Sequence, residues 1–197
     1  MNVMITGGTG LIGRPLAQLL VEQGHRVWVL SRSAQPQGLP PGVEAAQWDG
    51  KTSRGWEHLV EQADAIVNLA GENIGDLPWT NERKQKIRAS RVDVGLAITQ
   101  AVEAASRRPR ALVQVSGVGF YGPRGDETIT EEARFGSDFL SSVAVDWEAS
   151  TRGVEDLGMR RVVARLGIYL SPEGGALQRF LLPWKMFIGG PMGSGRQ

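Results

Sequence analysis

The chain has 197 residues, enough to bury one sizeable core. It is 41% hydrophobic and 22% charged with a net charge of +1, which gives no electrostatic reason to expect nucleic acid or an anionic membrane as a partner. It contains no cysteine, which excludes disulfides, thiolate metal sites and cysteine nucleophiles, and His25 and His58 lack the spacing of metal ligands. No apolar run is long enough to span a bilayer and no leader precedes the first motif, so we expect a cytoplasmic protein.

A glycine-rich turn follows the first predicted strand. The apolar run at 3–5 leads into Gly7, Gly10 and Gly13, and an amphipathic helix is predicted over 11–23. This order places backbone N–H groups and the positive end of a helix dipole where a pyrophosphate can bind. We expect the first glycine to permit a tight turn, the second to let the backbone approach the ligand, and the third to let the helix pack closely. A merely tight turn is the alternative interpretation.

Strand and helix patterns alternate along the rest of the chain. Further strands are predicted at 27–30, 43–48, 65–70, 111–115 and 161–166, and further helices at 57–62, 80–105 and 139–157. Apolar strands separated by helices predict an α/β protein with a Rossmann-type, doubly wound parallel sheet and helices on both faces. Ligands of such sheets bind beyond the carboxyl ends of the strands, so the residues directly after each strand form the candidate site.

The residues after the second strand distinguish between the adenine dinucleotides. A site for NAD usually carries an acidic residue there, but this sequence has Ser31, Arg32 and Ser33. A guanidinium can pair with a 2′-phosphate through two hydrogen bonds and stack on the adenine. The sequence therefore favours NADP(H) over NAD(H), with an ordinary exposed arginine as the alternative.

Other residues after strands are expected to line the same cleft. Asp49 suits the adenine edge, and the small residues of Leu69-Ala70-Gly71 let the adenosine and its phosphates pass. Ser116 ends the fifth strand, and Ile168 follows the sixth, close to the nicotinamide in this architecture.

Arg91 is a candidate phosphate or ribose ligand on a helix. It lies one turn after Ile87, whose position predicts an inward-facing stripe, and an arginine on that stripe needs an anion. An ordinary salt bridge is the alternative.

The stretch 178–188 is strongly apolar for a segment so close to the chain end. Such a surface is normally covered, so we expect either a longer natural protein or a partner, for example a second copy in a homo-oligomer. The alternative is that the segment folds back on its own core. The predicted organisation is an NADP(H)-binding Rossmann domain at 1–170 and the start of a substrate lobe at 171–197.

Several segments resemble a known family. Residues 6–13, 68–71 and 116–122 resemble the extended short-chain dehydrogenase/reductase superfamily, and 69–74, 90–92 and 189–197 resemble its atypical, sugar-nucleotide epimerase-like subfamily. The resemblance implies NADP(H) binding through Ser31-Arg32, Leu69-Ala70, Arg91 and Ile168, and a small-molecule substrate of unknown identity. Members of this subfamily normally extend well beyond Gln197, so the chain is expected to lack the family's C-terminal third.

The candidate cofactor-binding residues come from all of these elements. They are Gly7, Gly10, Leu11, Ile12, Gly13, Ser31, Arg32, Leu69, Ala70, Gly71, Arg91, Ser116 and Ile168.

The usual catalytic set of this superfamily, a Ser or Thr with a Tyr and a Lys, has no counterpart in an ungapped count. Gly117, Leu140 and Ala144 stand at the three positions, and no Tyr-x-x-x-Lys occurs in the chain. Ser116 and Tyr121 carry hydroxyls near the end of the fifth strand and are the candidate catalytic residues instead. Both could equally well only hydrogen-bond to the backbone.

Glu72 is a further candidate because a glutamate in a nonpolar cleft can act as a general base with a raised pKa. A salt bridge to an arginine is the alternative. Two functions stay open: an NADP(H)-dependent oxidoreductase or sugar-nucleotide epimerase with a non-standard acid/base, and a non-catalytic NADP(H)-responsive binding or sensor protein.

Overall fold

The sheet of this protein has six parallel strands. The computed structural model describes residues 1–190, and the strands are β1 (Asn2–Thr6), β2 (Arg26–Ser31), β3 (Val43–Gln47), β4 (Ala65–Asn68), β5 (Ala111–Gly117) and β6 (Arg160–Leu166). They are arranged in the order β3-β2-β1-β4-β5-β6, and every neighbouring pair is parallel. The order reverses between β1 and β4, which is the switch point where Rossmann-type sheets bind their ligands. The predicted fold class is confirmed.

Helices cover both faces of this sheet. They are α1 (Gly13–Glu22), α2 (Glu57–Val60), α3 (Asn81–Ala104), α4 (Phe139–Ser150) and α5 (Gly153–Asp156), with a short 3₁₀ helix at Val118–Tyr121. On one face, α3 packs over an apolar layer that includes Met4, Ile66 and Leu112. On the other face, Ala17 of α1 packs with Val3, Ile5, Val27 and Val29.

One predicted helix is two helices in the structure. The pattern at 139–157 predicts a continuous helix, but α4 ends at Ser150 and α5 begins at Gly153. Thr99 of α3 donates its hydroxyl to the Ser150 carbonyl at 3.0 Å, which draws this carbonyl away from the helix ladder. The Ser150 hydroxyl itself donates to the Trp147 carbonyl at 2.6 Å. Side-chain hydrogen bonds of this kind end a helix that apolar periodicity alone would continue.

The carboxyl ends of the three central strands are joined by buried polar side chains. The Thr6 hydroxyl donates to Asn68 Oδ1 at 2.6 Å, and Asn68 Nδ2 donates to Gln114 Oε1 at 2.8 Å. Gln114 Nε2 donates to the Val115 carbonyl at 2.7 Å. The three side chains are in register across β1, β4 and β5 and have no exposed surface. This polar ladder lies directly beneath the edge where ligands are expected.

The last described segment forms a hairpin and a helix. Strands β7 (Leu170–Ser171) and β8 (Gly174–Gly175) pair antiparallel, and α6 (Ala176–Lys185) follows without burying any side chain. The alternative in which the apolar stretch folds back on the core is therefore wrong for this helix. The predicted division at residue 170 stays a prediction, and the part of the 189–197 motif from 191 onward lies outside the described residues.

No helix within residues 1–190 is both long and apolar enough to cross a membrane. The cytoplasmic location expected from the sequence stays a prediction.

Candidate functional site

A cleft of about 820 Å³ opens at the carboxyl ends of β1 to β4. Its walls are the glycine turn after β1, the end of β2, the turn after β3, the segment after β4 and one face of α3. The sequence-predicted residues that line it are Gly7, Gly10, Ser31, Arg32, Asp49, Leu69, Ala70 and Gly71. The structure thus brings together residues from four separate parts of the chain, as the switch-point argument predicts.

The glycine turn is shaped by close backbone contacts. Gly7 has φ +70, and a Cβ on it would lie 2.6 Å from the Leu69 carbonyl oxygen. A Cβ on Gly13 would lie 2.5 Å from the Cα of Gly8, so α1 can begin this close to the turn only with a glycine. The turn is closed by the Gly10 N–H, which donates to the Gly7 carbonyl at 3.0 Å.

The start of α1 presents backbone donors without protein acceptors. Within the described part of the chain, the N–H groups of Leu11 and Ile12 donate to no protein atom, and no side chain caps the helix. Free N–H groups at the positive end of a helix dipole attract an anion. This geometry fits a pyrophosphate and supports the predicted role of Gly7, Gly10 and Gly13.

The end of β2 carries an arginine without an ion pair. Ser31 is buried and its hydroxyl accepts from the Ser33 N–H at 3.1 Å, which sets the turn. Arg32 is exposed on this turn, and among residues 1–190 no carboxylate lies within 4.0 Å of its guanidinium. Its stem lies against Gly50, where a Cβ would be 3.5 Å from Arg32 Cδ. The guanidinium is therefore available to an anionic ligand.

Asp49 faces the cleft as a carboxylate fixed by its own turn. It accepts hydrogen bonds from the Thr52 N–H at 2.7 Å, the Thr52 hydroxyl at 2.7 Å and the Lys51 N–H at 2.8 Å. These bonds, those from Thr52 above all, lower the pKa of Asp49 to about 2. Its role at the adenine edge stays a prediction.

Arg91 lies behind the wall of the cleft. Its Nη1 donates to the Ile87 carbonyl at 2.9 Å, its Nη2 donates to the Glu72 carbonyl at 3.0 Å, and its guanidinium carbon lies 5.1 Å from the centre of the Trp147 ring. Burial lowers the pKa of Arg91 to about 10. No carboxylate in the described residues forms an ion pair with it, so the salt-bridge alternative does not hold. Its direct contact with a ligand stays a prediction.

Glu72 lines the cleft but is held in an ion pair. Its Oε1 lies 2.6 Å from Nη1 of Arg83, whose side chain is only 8% exposed. The hydrogen bond from Arg83 holds the pKa of Glu72 below its usual range, and the positive charges of Arg32 and Arg91 add to this effect. A general base with a raised pKa is therefore the wrong interpretation of Glu72.

The two candidate catalytic hydroxyls do not line this cleft. Ser116 is 3% exposed, and among the described residues its Oγ has no hydrogen-bond partner. The Tyr121 hydroxyl accepts from Nη1 of Arg165 at 2.8 Å, and Glu148 holds this guanidinium through two bonds of 2.8 Å. Tyr121 therefore has a structural partner, whereas Ser116 still lacks one. Ile168, expected to line the same cleft, lies beyond β6, is 71% exposed and is not among the residues that line it.

Sequence reasoning missed several residues that line the cleft. They are Thr9, Arg14, Lys51, Lys86, Ser90 and Asp93. Arg14 directly follows the third glycine, so its position in the motif could have revealed it. Lys86 and Asp93 lie on a helix with a weak amphipathic pattern, and only the packing of α3 shows which face borders the cleft.

The strand order and the glycine turn define a Rossmann-type dinucleotide-binding architecture. The sequence profile of the NAD dependent epimerase/dehydratase family matches residues 3–174. This chain therefore belongs to the NAD dependent epimerase/dehydratase family, and the resemblance seen in the sequence is confirmed.

Relatives match over the whole chain. The epimerase family protein YfhF of Bacillus subtilis is 37% identical over 198 residues, and the epimerase family protein SDR39U1 of Bos taurus is 38% identical over 200 residues. Each match covers 100% of this chain and 64% of the relative. The chain thus spans 64% of the length of these curated relatives.

Solved structures share the fold. Human epimerase family protein SDR39U1, crystallised with NADPH, matches with a TM-score of 0.82 at 35% identity and covers 100% of this chain and 64% of its own. A nucleoside-diphosphate sugar epimerase from Corynebacterium glutamicum matches with a TM-score of 0.80 at 37% identity. This match covers 99% of this chain and 39% of the epimerase chain. A UDP-glucuronic acid 4-epimerase from Bacillus cereus, in complex with NAD, matches with a TM-score of 0.79 at 15% identity. This match covers 99% of this chain and 66% of the epimerase chain, and at this identity it shows the fold alone.

Proposed function

We propose that this chain provides the NADP(H)-binding part of an atypical short-chain dehydrogenase/reductase that acts as an oxidoreductase or sugar-nucleotide epimerase. The observation that carries the proposal is the cleft itself. It is lined by Gly7 and Gly10 of the glycine turn and by Arg32, a guanidinium without a carboxylate partner in the described residues, and the free N–H groups of Leu11 and Ile12 follow that turn directly. The NADPH in the human relative, at 35% identity, supports the phosphorylated coenzyme over NAD.

The cleft and the adjoining start of α1 suit different parts of the coenzyme. The N–H groups of Leu11 and Ile12 would hold the pyrophosphate, and Leu69-Ala70-Gly71 would leave room for the adenosine beside it. Arg32 would pair with the 2′-phosphate. When bound, NADP(H) supplies reversible hydride transfer at its nicotinamide ring.

The chemistry beyond binding rests on the carboxyl end of β5. The Ser116 hydroxyl is buried without a hydrogen-bond partner in the described residues, whereas the Tyr121 hydroxyl is engaged by Arg165. Ser116 and Tyr121 are the proposed catalytic candidates, and contact of either hydroxyl with a substrate would require a rearrangement at the end of β5. The substrate is a small molecule whose class the family suggests to be a sugar nucleotide or a carbonyl compound.

The test is the coenzyme selectivity of Arg32→Ala. We expect this variant to bind NADPH more weakly by about 1–3 kcal/mol, the scale of a charge-assisted contact, and to bind NADH almost unchanged. Isothermal titration calorimetry on the wild type, the variant and a control, Arg160→Ala at the opposite edge of the sheet, measures this. An equal loss for both coenzymes, or a wild type that binds no NADPH, would contradict the proposal.

A sensor without turnover is the second candidate function. It is favoured by Gly117, Leu140 and Ala144, which stand where the superfamily carries its hydroxyl, tyrosine and lysine. The last two lie one turn apart on α4, so the helix that usually carries this chemistry presents only apolar groups at these positions. Coenzyme turnover with carbonyl or sugar-nucleotide substrates supports an enzyme, and tight binding without turnover supports a sensor.

A further inference from the structure

Three cations line the cleft without an ion pair. Within residues 1–190, Arg14, Arg32 and Lys51 have no carboxylate within 4.0 Å, whereas Lys86 of the same cleft lies 2.7 Å from Glu82. Cations facing one cavity without counter-charges raise the local positive potential and favour an anionic ligand. A terminal phosphate monoester carries about −1.5 to −2 charges at neutral pH, which one guanidinium does not neutralise.

Arg14 is the one of these three cations whose side chain donates a hydrogen bond within the described residues. It is the second residue of α1, next to the glycine turn. Its Nη2 donates to the Gln37 carbonyl at 3.2 Å, and its Nη1 lies 3.1 Å from the position of a Cβ on Gly38. The guanidinium therefore rests against the loop that begins directly after Arg32 and Ser33. Arg14 thus contacts this loop at Gln37 and Gly38, and Arg14 and Arg32 line the same cleft.

The acidic residues nearby leave Arg14 free. Asp49 is saturated by the Thr52 and Lys51 hydrogen bonds, and Glu72 is paired with Arg83. Glu173 lines a shallow depression of about 350 Å³ that Arg14 also borders, but its carboxylate is not within 4.0 Å of Arg14 among the described residues. The remaining N–H groups of Arg14 are therefore available to a ligand in the cleft.

We infer that Arg14 is a second specificity-determining residue, which binds the 2′-phosphate of the coenzyme from the α1 side while Arg32 binds it from the β2 side. This inference rests on the proposed NADP(H) function and adds a residue that the glycine motif does not assign. Because Arg14 also donates to the Gln37 carbonyl, the bound phosphate would link the loop after β2 to the start of α1.

The experiment compares ligands that differ in the 2′-phosphate. Binding of 2′,5′-ADP and 5′-AMP, and of NADPH and NADH, is measured by calorimetry on the full chain carrying Arg14→Gln, Arg14→Lys or Lys51→Gln. We expect Arg14→Gln to weaken the 2′-phosphorylated ligands about tenfold and the others by less than about twofold. Arg14→Lys keeps the charge but loses the planar fork, so we expect a loss of about threefold.

The outcomes separate the inference from the proposed function. An equal loss for both ligand classes, no loss, or the same selective loss in Lys51→Gln would overturn the role of Arg14, because the last result indicates general attraction rather than a specific contact. If only Arg32→Ala loses affinity selectively for the 2′-phosphorylated ligands, the proposed function is supported and the role of Arg14 is contradicted. A wild type that binds neither NADPH nor 2′,5′-ADP would contradict both the proposed function and the role of Arg14. Circular dichroism checks the fold of each variant. If Arg14→Gln does not fold, the selective loss is measured on Arg14→Lys instead.

Discussion

At the scale of single residues, Glu72 connects the segment after β4 to α3 at three points. Its N–H donates to the Ser90 hydroxyl at 3.0 Å, its carbonyl accepts from Arg91 at 3.0 Å, and its carboxylate pairs with Arg83. A group held in this way contributes to stability rather than to proton transfer. The cleft wall next to Gly71 is therefore fixed by one ion pair and two backbone hydrogen bonds to α3.

The Glu72→Gln variant tests this role. Because the folded-state pKa of Glu72 is lowered, its stabilising effect is present above its ordinary pKa and is lost as the pH falls through the folded value. We expect the substitution to lower the free energy of unfolding by about 1–3 kcal/mol at pH 7, since it leaves the buried Arg83 without its counter-charge. Urea unfolding at pH 7 and below about pH 4 should show the difference shrinking in acid.

The control for that variant is Glu82→Gln, which removes an exposed carboxylate paired with Lys86 on the surface of α3. Exposed pairs of this kind contribute about 0.2–1 kcal/mol at most. A similar loss in both variants would contradict the structural role assigned to Glu72.

Residue positions after strands could be predicted from the sequence, but side-chain partners could not. The place of Arg32 follows from counting along the second strand, and the structure puts it in the cleft. The partner of Glu72 lies on another element, and sequence spacing carries no information on which arginine reaches it. Sequence spacing likewise does not reveal the partner of Tyr121, whose hydroxyl accepts from Arg165 of β6.

At the scale of elements, the contact between α3 and α4 depends on small side chains. Gly95 of α3 faces Ser150 of α4, and a Cβ on Gly95 would lie 2.8 Å from the Ser150 Cβ and closer still to its hydroxyl. The neighbouring Thr99 donates to the Ser150 carbonyl. The two helices therefore approach more closely than larger residues would allow.

Gly95→Ala is expected to force these helices apart. Overpacking a close contact costs about 1–3 kcal/mol, which outweighs the gain in helix propensity of about 1 kcal/mol for replacing glycine by alanine. Thermal and urea unfolding measure the loss. Adding Ser150→Gly to this variant should recover part of the stability, and Gln100→Ala on the exposed face of α3 serves as the control. A more stable Gly95→Ala protein would contradict the packing described.

The order and type of the main elements could be predicted because apolar periodicity reflects burial directly. Element ends could not: α1 starts at Gly13 rather than at Leu11, since the glycine turn continues through Ile12. The break after Ser150 depends on a hydroxyl from α3, a tertiary contact that a local pattern does not contain.

At the scale of the whole molecule, an apolar surface lies on the C-terminal segment. Leu182 is 61% exposed, Trp184 68% and Phe187 97%. Arg179 of α6 pairs with Asp76 at 2.8 Å, which fixes the helix beside the segment after β4 while its apolar side chains stay uncovered. Both covers expected from the sequence, a longer natural protein and a partner such as a second copy, stay predictions.

Leu182→Glu tests whether a second copy covers this surface. If a second copy covers it, the wild-type chain sediments as a dimer and the variant as a monomer, because a buried unpaired carboxylate opposes association. Analytical ultracentrifugation over a range of concentrations measures this, and NADPH binding of the variant should stay unchanged. A wild type that remains monomeric at high concentration would contradict the expectation.

The buried ladder of Thr6, Asn68 and Gln114 has a consequence for ligand affinity. Asn68 Oδ1 also accepts from the Ala70 N–H at 3.3 Å, so the same amide that joins the strands orients the backbone beside Gly7. The glycine turn is therefore preorganised: its conformational entropy is lost during folding rather than on association. Affinity for a dinucleotide should then be limited by the ordering of the ligand and by desolvation of its phosphates, not by rearrangement of the turn itself.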